Sequence, residues 1–409
     1  MEKELRILLV PDAYLGDYSG AYVAQIAKRL LMGLGHKVAI FTSEVDHDYI
    51  EQDGTVLYTR RQFSSKANWI EKPYRLNYEH VLDDFQPDVV YTLGSVTNKN
   101  ICYWRIARER GIKVISKIFM QDFFCACFYA NDERGLCTKC LDKGFCQSLI
   151  NGCSRTQGNR IKTLLRALNA ASIRYELRPE LKKASAVITS SRQQVEFYVK
   201  YGIPRDRCYI APLYFNGDKL SKFTPTRGDY YVFVAQNRID KGIHLLKDIL
   251  AHCNQDVKVV AAYTSQERID EALQKYGLQP FVYSGILEMR PNCTWKTNLG
   301  DVIAASRGVV NPSIWPTTTE YVLLETLGLK KPIFTFNVGI HPEIIQNGVN
   351  GFVAESPSEM ASQMNQFKHD DALYEEVSAN AYKLYQTLTD WNRWETELKI
   401  ILERICNEY

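Results

Sequence analysis

Apolar residues in this chain gather in short strand-length runs that alternate with segments of helical period. "LRILLV", residues 5–10, is apolar apart from Arg6 and reads as a buried strand. A loop holding Gly16, Ser19 and Gly20 follows. Then Val23, Ile26, Ala27, Leu30 and Leu31 recur at helical spacing, Gly35 ends the helix, and "KVAIFTS" is the next strand. Strand, glycine loop, helix and strand make a βαβ unit. The rhythm continues through "DVVYTLG", a helix running to Arg110, "KVISKIF", a long basic helical stretch and "ASAVITSS". Residues 211–228, rich in Pro, Gly and charge, break the pattern and read as a linker. A second series follows, with strands expected at "YYVFVAQ", "VKVVAAY", "FVYSG", "RGVVNPS" and "KPIFTFN", and an amphipathic helix closes the chain. The pattern predicts two α/β domains with largely parallel sheets, residues 1–213 and 214–385, and a terminal helix over 386–409. No GxGxxG is present, so nothing singles out a dinucleotide fold.

Composition narrows the class. The 409 residues are 45% hydrophobic and 24% charged, as in globular proteins, and the net charge of +3 is too mild for a general nucleic-acid binder. No run of about 18 apolar residues predicts a transmembrane helix, and "LRILLV" is too short for a signal peptide. The expected location is the cytoplasm.

The most informative segment is "NPSIWPTTTEYVLLETLGLKKPIF" followed by "GIHPEIIQNGVNGFV". It resembles the nucleotide-sugar-binding region of family-4-type retaining glycosyltransferases, whose pattern is PS-x-x-E-x7-E with a G-x-P-E tail. "SGAYVAQIAKRLLMGLGHKVAIFT", "PDVVYTLG", "GIKVISKIFMQDFF" and "FVAQNRIDKGIHLL" resemble further family segments in the same order. The resemblance implies a GT-B fold: two Rossmann-like domains facing a cleft, with the terminal helix packing back on the N-terminal domain. It also implies transfer of a hexosyl unit from an NDP-sugar without a catalytic metal.

Without a metal, cations and helix N-termini must meet the charge on the departing diphosphate. The resemblance puts Lys241 in that role. The family arginine five residues earlier is Gln236 here, with Arg238 as a substitute. Glu325 matches the glutamate that binds the ribose, and a carboxylate inside the apolar run "YVLLETLG" also needs a partner on physical grounds. The family's first glutamate is replaced by Thr317. "TTTE" has the form of a capping box, so Thr317 is expected to cap the helix and Glu320 to close the box. Thr317, Thr318 and Glu320 remain donor-side candidates. In the N-terminal domain Gln121-Asp122 replaces the family's His-Asp pair. Gln121 cannot titrate, and Asp122 is a candidate near the reacting sugar. Ser19 and Gly20 match the family's glycine loop. Gly339, His341 and Glu343 match its donor-side tail, although His341 reads equally well as an exposed loop histidine.

Cys125, Cys137, Cys140 and Cys153 have the C-x11-C-x2-C-x12-C spacing of a subset of this family, within an insertion over about 122–155; Cys127 and Cys146 are left over. Four thiolates suit a closed, structural Zn²⁺ site. An iron–sulfur cluster, a redox pair and plain thiols are the rival readings. The segment 155–183 carries eight Lys/Arg against two Glu. It reads either as a solvated helix face or as a surface for anionic membrane lipid or a lipid-diphosphate acceptor. The function expected is a retaining transferase of bacterial surface-polysaccharide synthesis acting on a lipid-linked glycan. The alternatives are a catalytically impaired nucleotide-sugar-binding or scaffold protein and, disfavoured by charge, a zinc-ribbon nucleic-acid binder.

Overall fold

The structure is a computed structural model. It describes all residues except 1–3, 17–18, 62–70, 95–97, 126–129, 133–134, 154–159, 212, 319 and 408–409. The chain divides into two compact units. One comprises 1–130, 137–215 and 389–409, the other 131–136 and 216–388.

In the first unit the apolar runs become strands: β1 (Arg6–Pro11), β2 (Lys37–Thr42), β3 (Tyr49–Ile50), β4 (Val56–Thr59), β5 (Val89–Gly94) and β6 (Lys113–Ile118). After the two-residue strands β7 (Asn131–Asp132) and β8 (Gly135–Leu136), which pair with each other in the second unit, come β9 (Ala186–Thr189) and β10 (Cys208–Ile210). The sheet order is β10-β9-β6-β5-β1-β2-β4-β3, parallel except for the edge pair β3–β4. Ile7, Leu8, Leu9, Val89, Val90 and Ile115 are fully buried, as expected for strands covered on both faces. The chain runs outward in opposite directions from β1 and β5, so the topological switch lies between them. Gly94 ends β5 at φ +132°, and a side chain there would collide with the Asp12 carboxylate just after β1.

The second unit holds β11 (Tyr230–Val234), β12 (Lys258–Ala262), β13 (Leu287–Arg290), β14 (Gly308–Asn311), β15 (Ile333–Phe336) and β16 (Phe352–Ala354). Its order is β13-β12-β11-β14-β15-β16, parallel at every pairing, with the switch between β11 and β14.

Two expectations need correction. "FVYSG" is not a strand: Pro280 at the first turn favours a short helix, Gln279–Tyr283, and β13 begins only after Gly285, which turns the chain at φ +78°. The segment 211–228 is not a solvated linker throughout. Leu213, Tyr214 and Phe215 are buried, and the Tyr214 ring packs on Trp394 of the terminal helix Trp391–Asn407 and lies 4.0 Å from Lys117 Nζ. Apolar side chains in a Pro/Gly-rich stretch still seek burial. Burial on β6 pulls the Lys117 ammonium down to about 7, against the opposing charge of Glu397.

Candidate functional site

In an open parallel sheet the crevice outside the carboxyl ends of the strands, at the switch point, is where ligands bind. In the second unit the chain leaves β11 into a turn bearing Gln236, Arg238 and Lys241. It leaves β14 into a loop bearing Thr317, Thr318 and Glu320, and β15 into a turn bearing Gly339 and His341. The three loops meet. Gly242, at φ +74°, lies so close to the Pro312 carbonyl that a side chain there would collide with it, and the backbone N–H of Ile314 donates to Asp240 O at 3.1 Å. Gly339, at φ +62°, has the same role on the other side: a Cβ would sit 2.6 Å from Thr317 O, which accepts from Ile340 N at 3.0 Å.

At the centre is Glu320. Lys241 Nζ donates to its Oε1 at 2.8 Å, Asn311 Nδ2 donates to Oε2 at 2.8 Å, and His341 Nε2 lies 2.6 Å from Oε2. His341 Nδ1 is 2.8 Å from Thr335 Oγ1. Burial pushes the Glu320 carboxyl up, but the Lys241 charge and the bonds from His341 and Lys241 outweigh it and hold the group far below the usual carboxylate range. The capping-box expectation is therefore wrong. A box would start the helix at residue 318, whereas it runs Tyr321–Gly328 with Glu320 in the cap position and no side-chain cap bond. A buried lysine ion pair and two hydrogen bonds outcompete a single cap interaction. His341 is likewise no exposed loop residue, since it is completely buried.

Arg238 reaches elsewhere: its guanidinium forks onto Asp240, Nε to Oδ1 at 3.0 Å and Nη2 to Oδ2 at 2.7 Å. Gln236 and Glu343 are exposed, and Thr317 and Thr318 are buried. The Lys241 ammonium also lies 4.7 Å from the Trp315 ring.

Glu325, in the middle of the same helix, sits in a second cluster. It is paired with Lys219, whose ammonium is 4.1 Å from the Trp295 ring, and it accepts a bond from Trp295. Burial raises its carboxyl, with Lys219 and Trp295 opposing. Asn311, Lys219, Trp295 and Trp315 were invisible to spacing arguments. Asn311, the polar residue ending a buried strand ahead of Pro312, was the one available signal.

In the first unit Asp122 is buried after β6, with the Arg174 guanidinium near enough to feel its charge. Gln121 Nε2 donates to Gln194 Oε1 at 3.3 Å. Ser19 and Gly20 open the helix Ser19–Gly33 at the carboxyl side of β1, with Gly20 exposed; the Ser19 side chain lies outside the described residues. Cys127 lies outside them too. Cys125 is buried, Cys137 and Cys140 are half-buried and Cys153 is exposed. Burial pushes the Cys140 thiol up to about 11, and Cys125, Cys153 and Cys137 add to that, so these three lie within electrostatic reach of Cys140. Even so, among the described residues no three His, Cys, Asp or Glu are grouped to hold a metal ion, and the expected tetrahedral sphere is not assembled here.

Residues 218–384 match the family described as glycosyl transferases group 1. No curated protein matches in sequence. Solved structures similar over nearly the whole chain include HepE from Anabaena in complex with UDP and glucose (14% identity, 98% of this chain and 100% of that one, TM-score 0.63). Another is a glycosyltransferase from Rickettsia africae (14%, 100% and 100%, TM-score 0.66). A third is WaaG, a glycosyltransferase involved in lipopolysaccharide biosynthesis (17%, 97% and 99%, TM-score 0.61). These likenesses establish the two-domain α/β GT-B fold.

Proposed function

We propose that this chain, which carries a glycosyl transferases group 1 domain over residues 218–384, is a retaining hexosyltransferase. It uses an NDP-sugar donor and a lipid-linked glycan acceptor in bacterial surface-polysaccharide synthesis, at the cytoplasmic face of the membrane. The observation that carries the reading is the Lys241–Glu320–His341 chain at the carboxyl ends of β11, β14 and β15, the switch point of the matched domain. Lys241 is assigned to the donor diphosphate, where a cation stabilises the growing negative charge. Glu320 and Asn311 fix its position, and Thr317, Thr318 and Gly339 shape the loop beside it. The acceptor oxygen attacks on the face from which the diphosphate leaves, and the diphosphate assists removal of its proton. Asp122, Ser19 and Gly20 are the candidate residues of the first unit.

The test is a thermal-shift screen of UDP-, GDP-, ADP- and TDP-sugars, followed by donor hydrolysis with the sugar that stabilises most. Stabilisation with turnover supports the reading. Stabilisation without turnover favours the nucleotide-sugar-binding protein that the replacements at Thr317, Gln121 and Gln236 suggest.

Glu325 is assigned to the nucleotide ribose. Its buried carboxylate is held by Lys219 and Trp295. Glu325→Ala is expected to weaken nucleoside diphosphate binding by about 1–3 kcal/mol, the range for a hydrogen bond to a charged group. Calorimetry showing unchanged affinity would remove Glu325 from the site.

The cysteine cluster is proposed to hold one structural zinc per chain through Cys125, Cys137, Cys140 and Cys153. The C-x11-C-x2-C-x12-C spacing and the influence of Cys125, Cys137 and Cys153 on the Cys140 thiol support it, and metal binding would displace the thiol protons and draw the four together. Elemental analysis of purified protein should then give about one zinc per chain, lost with Cys137→Ser/Cys140→Ser. A metal-free protein with all four thiols titratable counts against it.

A further inference from the structure

The helix Arg160–Lys182 has two apolar sides. At about 100° per residue, Ala167, Arg174, Leu177 and Leu181 fall on one side and are buried, and Arg174 Nη2 donates to Cys125 O at 2.7 Å. Ile161, Leu164, Leu165, Leu168 and Tyr175 fall within an arc of about 100° on the opposite side. They are 72%, 50%, 59%, 54% and 84% exposed. Four large aliphatic residues and a tyrosine in a single solvent-facing stripe are not a solvated face. Such a stripe needs an apolar partner.

Charge decides which partner. Residues 160–175, "RIKTLLRALNAASIRY", hold four cations and no acid. Over 160–183 there are seven Lys/Arg and two Glu, a net of 7 − 2 = +5, whereas the whole chain has +3. The remainder is therefore +3 − 5 = −2, and the entire positive excess of the protein lies on this segment. A second copy docking through the same stripe would set +5 against +5, which like-charge repulsion disfavours. A basic helix with an exposed aliphatic stripe and a terminal tyrosine suits the boundary between anionic headgroups and acyl chains, where cations meet phosphate and tyrosine sits at the interface. The C-terminal half of the helix walls a cavity of about 1360 Å³ of mixed charge, where Arg178, Lys182 and Lys200 stand with Asp142, Glu176 and Glu180 and Lys200 pairs with Asp142, so the cationic excess lies on the stripe-bearing half of the helix. On the neighbouring short helix Gln147–Ile150, Leu149 and Ile150 are 41% and 72% exposed.

We propose that the stripe Ile161, Leu164, Leu165, Leu168 and Tyr175 inserts into the surface of an anionic bilayer and seats the first unit on it. The inference deepens the reading above, in that it supplies the lipid surface on which a lipid-linked acceptor resides, but its physical basis is independent of the donor site.

The experiment is vesicle flotation with phosphatidylcholine alone and with phosphatidylcholine/phosphatidylglycerol. The parent protein is expected to float with the anionic vesicles, more weakly at high salt and with little binding to phosphatidylcholine alone. Leu164→Ser/Leu168→Ser should lower the partition coefficient at least about tenfold per leucine. Both side chains are exposed, so the melting temperature and solution donor hydrolysis should not change. Leu165→Trp, which keeps the stripe apolar, should show a blue-shifted emission on adding anionic vesicles. A parent protein that stays off anionic vesicles, or a double-serine variant that floats as the parent does, overturns the proposal. So does a dimer in light scattering that the double-serine variant converts to monomer, since the stripe is then an interface between copies. Vesicle binding without donor turnover would remove the enzymatic reading and leave this one standing; turnover without vesicle binding would do the reverse.

Discussion

Lys241→Ala is expected to lower kcat on the order of 100-fold, with a smaller effect on donor affinity. The asymmetry follows from when the interaction matters. A cation facing a diphosphate gains most as the glycosidic bond breaks and charge develops, so its loss falls on the transition state more than on the ground state. The structure makes the expectation sharper than the sequence did, because Lys241 does not wander. Its ammonium is held 2.8 Å from Glu320 and 4.7 Å from the Trp315 ring, on a turn whose Gly242 allows close approach to Pro312. A stabiliser fixed before the reaction needs no reorganisation during it. Arg238→Ala should cost much less, since its guanidinium is already forked onto Asp240. Single-turnover hydrolysis at saturating donor compares the two variants directly. Near-parental turnover in Lys241→Ala would mean that this lysine is a structural ion-pair partner and nothing more.

The second large effect is on stability. Glu320→Ala removes a buried carboxylate that satisfies Lys241, Asn311 and His341 together, leaving a largely buried ammonium, an amide and an imidazole without their acceptor. Breaking a buried pair from one side costs about 3–5 kcal/mol, which lowers the midpoint of unfolding by roughly 10 °C for a unit of this size. Differential scanning calorimetry with and without the substitution measures it. Acid dependence provides a second reading. The folded carboxyl titrates below its unfolded value of about 4.3, so its contribution is fully present above that pH and is lost as pH falls toward the folded value. The parent protein should therefore lose stability between pH 5 and pH 3 more steeply than Glu320→Gln. Parallel acid profiles for the two proteins would show that Glu320 carries no linked charge.

The sequence was sufficient for most of the fold. Runs such as "LRILLV" and "KVAIFTS" are apolar at successive positions, Ile7–Val10 and Val38–Phe41, because both faces of a parallel strand are covered, and a βαβ rhythm admits few topologies. It failed where a short apolar run can be helix or strand, as at "FVYSG", where only the proline and the following glycine decide. It failed again at Leu213–Phe215, where composition suggested solvent and packing against Trp394 prevailed. At the site, the sequence alone determined which residues lie on the loops after β11, β14 and β15, because residue order fixes loop membership. Only the tertiary structure decided what those residues do to one another. Thr317–Glu320 satisfies the capping rule in one dimension, yet Glu320 turns to Lys241, Asn311 and His341, which are 79, 9 and 21 residues away in sequence. Burial strengthens those charge-assisted bonds and makes an unpaired carboxylate costly. The choice of partner is therefore set by which loops the sheet brings to its switch point, and local sequence does not encode that.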